Sequence, residues 1–176
     1  MRAPLTTLAS AALLCVPFVG CGGGSPSQPA GSTRVAIDGT SFLLSDEPDG
    51  AVGVISAKES AEDGAPLVLV GRIGGASNPW VDGRAAFTLM DPSLTVVDPG
   101  ADTAPGEVCM DDCCAAERLA CTTLVKFVDG EGRVVPVDSR KLLGVKEGDM
   151  VVVKGAAKKD GSGNLSMLAT GLYLRN

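Results

Sequence analysis

The chain has 176 residues, with 15 basic and 21 acidic side chains, no histidine and a formal charge of −6. The lack of histidine excludes Ser-His-Asp and Cys-His catalytic arrangements and every His-bearing metal site. The net acidity argues against a general nucleic-acid binder, although residues 118–176 hold 10 basic and 6 acidic residues against 4 and 15 over 22–117, which leaves room for an anionic ligand in the C-terminal half.

The first element is "LTTLASAALLCVPFV", an apolar run behind Arg2 that is too short to span a bilayer as a stable helix. It ends in "FVGC", Phe18 to Cys21, followed by "GGGSPSQPAGS". These residues resemble a bacterial lipobox, with Phe18 standing where Leu is usual. The resemblance implies cleavage of a signal peptide over 1–20, lipidation of Cys21 and a flexible Gly/Ser/Pro tether over 21–33. Cys15 fits less well, because bulky Leu14 precedes it. Gly22, in place of Asp, is similar to Gram-negative lipoproteins bound for the outer membrane. The expectation is an exported, membrane-anchored protein facing the periplasm, where disulfides persist. Without Arg2 the charge becomes −7, and residues 34–176 suffice for one domain with a real core.

"TRVAIDGTSFLLSDEP" (33–48) alternates enough to predict one or two short strands. "SAKESAEDG" (56–64) predicts a helix with Ser56 and Glu59 as a capping box, Gly64 as its stop, and Val54, Ile55, Ala57 and Ala61 facing the core. "PLVLVGRIGG" (66–75) predicts a buried strand that bends at its glycines. "RAAFTLMD" (84–91) and "TLVKFVD" (123–129) are the next strands, and "GRVVPV" (132–137) continues or pairs back. "DSRKLLG" (138–144) is a helical turn between an Asp138 or Ser139 cap and Gly144. "DMVVVKGAAKK" (149–159), the turn "DGSGN" (160–164) and "NLSMLATGLYLR" close the chain as a hairpin. In that last strand Leu165, Met167 and Ala169 alternate against Leu168, Thr170 and Leu172. The long segment 92–121 between the second and third strands has no period and holds four cysteines.

Five short strands, a bent glycine-bearing first strand and a short helix before the fourth match an OB-fold-like barrel, mainly β. "SAKESAEDGAPLVLVGRIGG" and "KEGDMVVVKGAAKKDGSGNLSMLATGLYL" resemble the opening and closing of small exported bacterial OB-fold proteins. The chain is also similar to small bacterial lipoproteins of unassigned function that pair this barrel with a Cys-Cys-bearing insertion. That resemblance brings no catalytic residues. OB folds commonly bind on the face of strands two and three. Here that surface would offer Lys126, with Phe87 and Phe127 expected mainly in the core, and Arg72, Trp80 and Arg84 at the first hairpin. Trp80 can either stack a ligand or plug the barrel end. "GRIGG" (71–75) lacks the spacing and the Lys-Ser/Thr of a phosphate loop.

Cys109, Cys113, Cys114 and Cys121 follow the spacing C-x3-C-C-x6-C. Export favours two structural disulfides, joining 109–113 with 114–121 or 109–114 with 113–121; a 113–114 bridge needs a strained ring. The alternative is a thiolate site for Zn or Cu(I), although the adjacent pair departs from knuckle spacing. A redox pair has no C-x-x-C, and Asp111 and Asp112 would raise a thiol pKa. Together these features give a lipid-anchored, non-catalytic binding module for an envelope protein, peptide or glycan. The alternatives are a metal-handling lipoprotein and, against the charge and the address, an oligonucleotide binder.

Overall fold

In the computed structural model the described residues are 37–97 and 104–175. The signal and tether assigned to 1–33, including Cys21, lie outside them.

The expected strands over 33–48 are not formed within 37–48. Asp38 instead caps a 3-10 turn, Gly39–Phe42, accepting the Thr40 N–H at 2.9 Å. Short polar side chains that bond their own backbone compete with strand pairing, and burial of Phe42 anchors the turn. The chain then runs as a strap along the barrel. Leu44 N–H donates to Leu172 O at 2.8 Å, and Val52 exchanges bonds with Val68 and Val70 at 3.0 and 2.9 Å.

Helix α1 spans Val54–Ser60, with Gly53 as its N-cap residue and no side-chain cap from its own segment. The Ser56–Glu59 capping box is therefore not formed, because the helix starts three residues earlier than that motif requires. Val54 and Ala57 are fully buried and Ala61 packs against the core, but Ile55 is 38% exposed. Gly64 has φ +79° but lies in the turn beyond the helix, which ends at Ala61.

The strands are β1 (Pro66–Ile73), β2 (Ala86–Met90), β3 (Thr95–Val97), β4 (Glu107–Cys109), β5 (Thr122–Phe127), β6 (Met150–Lys159) and β7 (Leu165–Arg175). Five of them close a barrel in the order β1-β2-β5-β7-β6, with β6 returning to β1. All contacts are antiparallel except β5–β7, which is parallel. This is an OB-fold-like barrel, as expected. Two further short helices are present, α2 (Ala115–Cys121) and α3 (Ser139–Leu143). Asp138 caps α3 and Gly144 ends it at φ +71°, as the motif predicts. Val135 pairs back on Phe127 and Ala85.

The core is a filled barrel. Phe42 meets Phe127 edge-on at 5.6 Å, Phe127 meets Phe87 at 6.0 Å, and Phe87 meets Trp80 at 6.1 Å. Four of the five aromatics beyond Phe18 thus form one continuous file.

Strand β7 departs from strict alternation. Lys154 pairs with Gly171 and Gly155 with Ala169, so Thr170 is an extra residue. The bulge reverses the phase, and Leu172 becomes fully buried alongside Leu165, Met167 and Ala169. Gly155 makes this geometry feasible: a Cβ there would stand 2.0 Å from Leu168 O. Gly155→Ala is expected to destabilise the barrel by about 2 kcal/mol. Urea denaturation checks this, with a lowered midpoint at unchanged slope as the expected result.

Candidate functional site

The segment singled out by its cysteines is an excursion in the β2–β5 hairpin. Met90 at the end of β2 pairs with Thr122 at the start of β5. Between them β3 and β4 form a two-stranded parallel sheet, followed by a 3-10 turn, Asp112–Cys114, and α2. The excursion has a small core of its own, in which Val108 and Cys121 pack on Met90 with Leu94 beside them.

Its neck is built on Asp91, which is 5% exposed. The Asp91 N–H donates to Cys121 O at 2.9 Å, which ties the two ends of the excursion together. One carboxylate oxygen, Oδ2, accepts the Ile55 N–H at 2.9 Å, and the other accepts the Ser93 N–H at 3.0 Å and hydroxyl at 2.6 Å. Burial pushes its pKa up, but these bonds, together with the Val54 N–H, outweigh burial and hold it below the ordinary 3.8. Asp91 is thus the cap that α1 lacks in its own sequence, set favourably at the positive end of the helix. Gly53 leaves room for it, since a Cβ there would lie 2.6 Å from Oδ2. A second tie runs from Lys58 Nζ to Leu119 O, and partial burial lowers the Lys58 pKa.

The four cysteines are thiols in this structure, so neither expected pair of disulfides is formed. Cys113 and Cys114 Sγ are 3.6 Å apart, and the Cys109 thiol lies nearby. These contacts drive the Cys114 pKa up to about 12. Cys121 stands apart. Its Sγ donates to Arg118 O at 3.3 Å, and burial raises its pKa. The excursion is braced by hydrogen bonds where bridges were expected: Arg118 Nη1 donates to Cys109 O at 3.0 Å and to Asp111 O. Among the described residues, no three His, Cys, Asp or Glu side chains come together to hold a metal ion. The four-thiolate Zn or Cu(I) site therefore has no counterpart, because Cys121 belongs to a different packing cluster.

The barrel residues do not converge either. Trp80 packs on Phe87, and the Arg140 guanidinium lies 5.4 Å from its ring centroid. Asp138 holds that guanidinium through Nε at 2.9 Å and Nη2 at 2.6 Å. Trp80 is thus a barrel plug with a covered face. Arg84 is exposed just before β2, and Lys126 is half-buried opposite Ala86. Arg72 pairs with Met90 at the far end of β2, about 13 Å along the strand, and its Nη1 donates to Gly148 O at 2.9 Å. Phe87 and Phe127 are core, as expected. Sequence reasoning missed Asp91 altogether; the one available signal was a lone acid ending an apolar strand.

No family model matches the chain, and no curated protein matches it. Among solved structures, an OBody bound to hen egg-white lysozyme is similar over 65% of this chain and 81% of its own, at 14% identity and a TM-score of 0.35. Among the described residues, no helix is long and apolar enough to cross a membrane.

The depressed Asp91 pKa fixes the sign of its linkage. Its stabilisation is fully present above the unfolded carboxyl value and is lost as pH falls through the lower folded value. Asp91→Ala is expected to cost about 2 kcal/mol at pH 7, through the lost cap and the stranded N–H groups. Urea melts from pH 7 down to 3 check both points, since the deficit relative to the parent chain should shrink at the acid end.

Proposed function

We propose that the chain is an exported, lipid-anchored, non-catalytic interaction module. In this reading Cys21 carries the lipid, the barrel serves as a rigid frame, and the excursion over 92–121 meets a protein or peptide of the cell envelope. The observation that supports the contact surface is Leu119. It lies on α2, is 71% exposed and is followed by Val96 at 48% and Ile55 at 38% as exposed apolar side chains of the excursion and the adjoining helix. A leucine this exposed is apolar surface that a partner would bury. The first hairpin is the weaker half of the expected surface, because Arg140 already occupies the Trp80 face.

Two experiments test the reading. Cys21→Ser should abolish lipid labelling and release the chain from the membrane fraction; unchanged partitioning overturns the anchor. A photo-cross-linker placed at Leu119 should give a discrete adduct in living cells, while one at exposed Lys141 should not. Equal patterns at the two positions overturn the excursion as the contact surface.

A further inference from the structure

The sequence places glycine directly after aspartate six times, at 38–39, 49–50, 63–64, 82–83, 129–130 and 160–161. An Asp–Gly step is open to attack by the main chain on its own side chain, because no Cβ shields the glycine nitrogen. The attack needs a carboxyl group and a main-chain segment that are both free to move. In five of the six steps the fold ties them down. Asp38 accepts the Thr40 N–H at 2.9 Å and its hydroxyl at 2.7 Å. Asp63 accepts the Lys159 N–H at 2.8 Å and pairs with Lys158, while the Gly64 N–H donates to Ala157 O at 2.8 Å. Asp129 accepts the N–H groups of Glu131 and Arg133, and Asp160 those of Ser162 and Asn164. Asp82 faces the Arg140 guanidinium at 3.5 Å, within a turn that the Arg84 N–H closes on Val81 O.

Asp49 is the exception. Asp49 and Gly50 are both exposed, and the Asp49 carboxylate has no hydrogen-bond or ion-pair partner among the described residues. Gly50 lies at φ +77°, with nothing within 4 Å of where a Cβ would stand. The chain on either side is fastened, at Leu44 and Glu47 before the step and at Val52 after it. Among the described residues, no backbone bond holds 48–51 between those points. We propose that Asp49–Gly50 is a site of spontaneous covalent modification, where the chain closes a succinimide and Asp49 becomes isoaspartate while the fold protects the other five steps. The proposal does not depend on export, lipidation or the contact surface at Leu119.

The chemistry balances in two steps. The Gly50 nitrogen attacks Asp49 Cγ, and the Gly50 N–H proton leaves with the carboxyl O–H as one water, closing the succinimide ring. Water then opens the ring. Addition at the side-chain carbonyl restores aspartate, whereas addition at the main-chain carbonyl leaves the chain running through Cβ with the α-carboxyl free. One water departs and one enters, so the product has the mass of the parent and nothing is oxidised or reduced. It carries an added methylene in the main chain just ahead of Val52, whose N–H donates to Val68 O at 3.0 Å. It also exposes an α-carboxylate, a group that a carboxyl methyltransferase can esterify.

The test ages the full-length chain in buffer, folded and in guanidinium, and maps both samples with an endoproteinase that cuts before aspartate. Isoaspartate resists that cut, so it appears as a missed cleavage at unchanged mass, and electron-transfer fragmentation locates it. In the folded chain isoaspartate at position 49 should exceed that at each of the other five sites about fivefold or more, the factor that one net hydrogen bond supplies. In guanidinium that preference should vanish. Asp49→Glu, which keeps the charge but lengthens the side chain, should lose the signal at 49, and Asp49→Asn should convert faster with release of ammonia. A folded chain that forms no isoaspartate at 49, or forms as much at any of the other five steps, overturns the proposal. A preference for 49 that survives denaturation overturns it too, because the selectivity would then lie outside the fold.

Discussion

A single carboxylate holds the molecule's separate parts in register. Asp91 sits where β2 ends, and from that point it caps α1, starts the excursion through Ser93 and receives its return at Cys121. The helix is seven residues long and has no cap of its own, so it would be marginal without tertiary help. The excursion likewise has a core of only a few side chains. Each is stable where it is because a charged acceptor at the barrel rim satisfies N–H groups that would otherwise be stranded.

The barrel itself rests on close backbone approach and on the aromatic file. Gly71 and Gly155 stand where a Cβ would meet backbone oxygens, at 2.5 Å from Met90 O and 2.0 Å from Leu168 O. They let the sheet curl tightly enough to close. Inside, Phe42, Phe127, Phe87 and Trp80 run in file, and Arg140 covers the Trp80 end. The scarcity of aromatics in the chain therefore reflects their concentration in one place. It also explains why little aromatic surface remains on the barrel for a stacked ligand.

Features set by a few neighbouring residues were legible in advance. The β-branched runs became strands, and Asp138 with Gly144 bounded α3. The pentapeptides 129–133 and 160–164 form turns of one design, in which the leading Asp side chain accepts the N–H groups two and four residues on. What escaped was long-range. The cap of α1 lies 36 residues away in Asp91. The phase change at Thr170 depends on its partner strand. The cysteine spacing marked the excursion, but that Cys121 turns away to pack with Val108 on Met90 is decided by the fold. The apparent alternation of 33–48 misled because Asp38, Thr40 and Ser41 satisfy one another locally.

The strap over residues 43–52 has a mechanical consequence. It grips the barrel through isolated bridges at Leu43 and Val52, a few backbone bonds, the Arg175–Glu47 ion pair and the seat that Gly171 leaves for Leu44. Tension applied at residue 37 meets first the turn that Phe42 pins into the core, and only then these fastenings. Pulling the strap free therefore first draws Phe42 away from Phe127, so the N-terminal attachment and the barrel core share one point of failure.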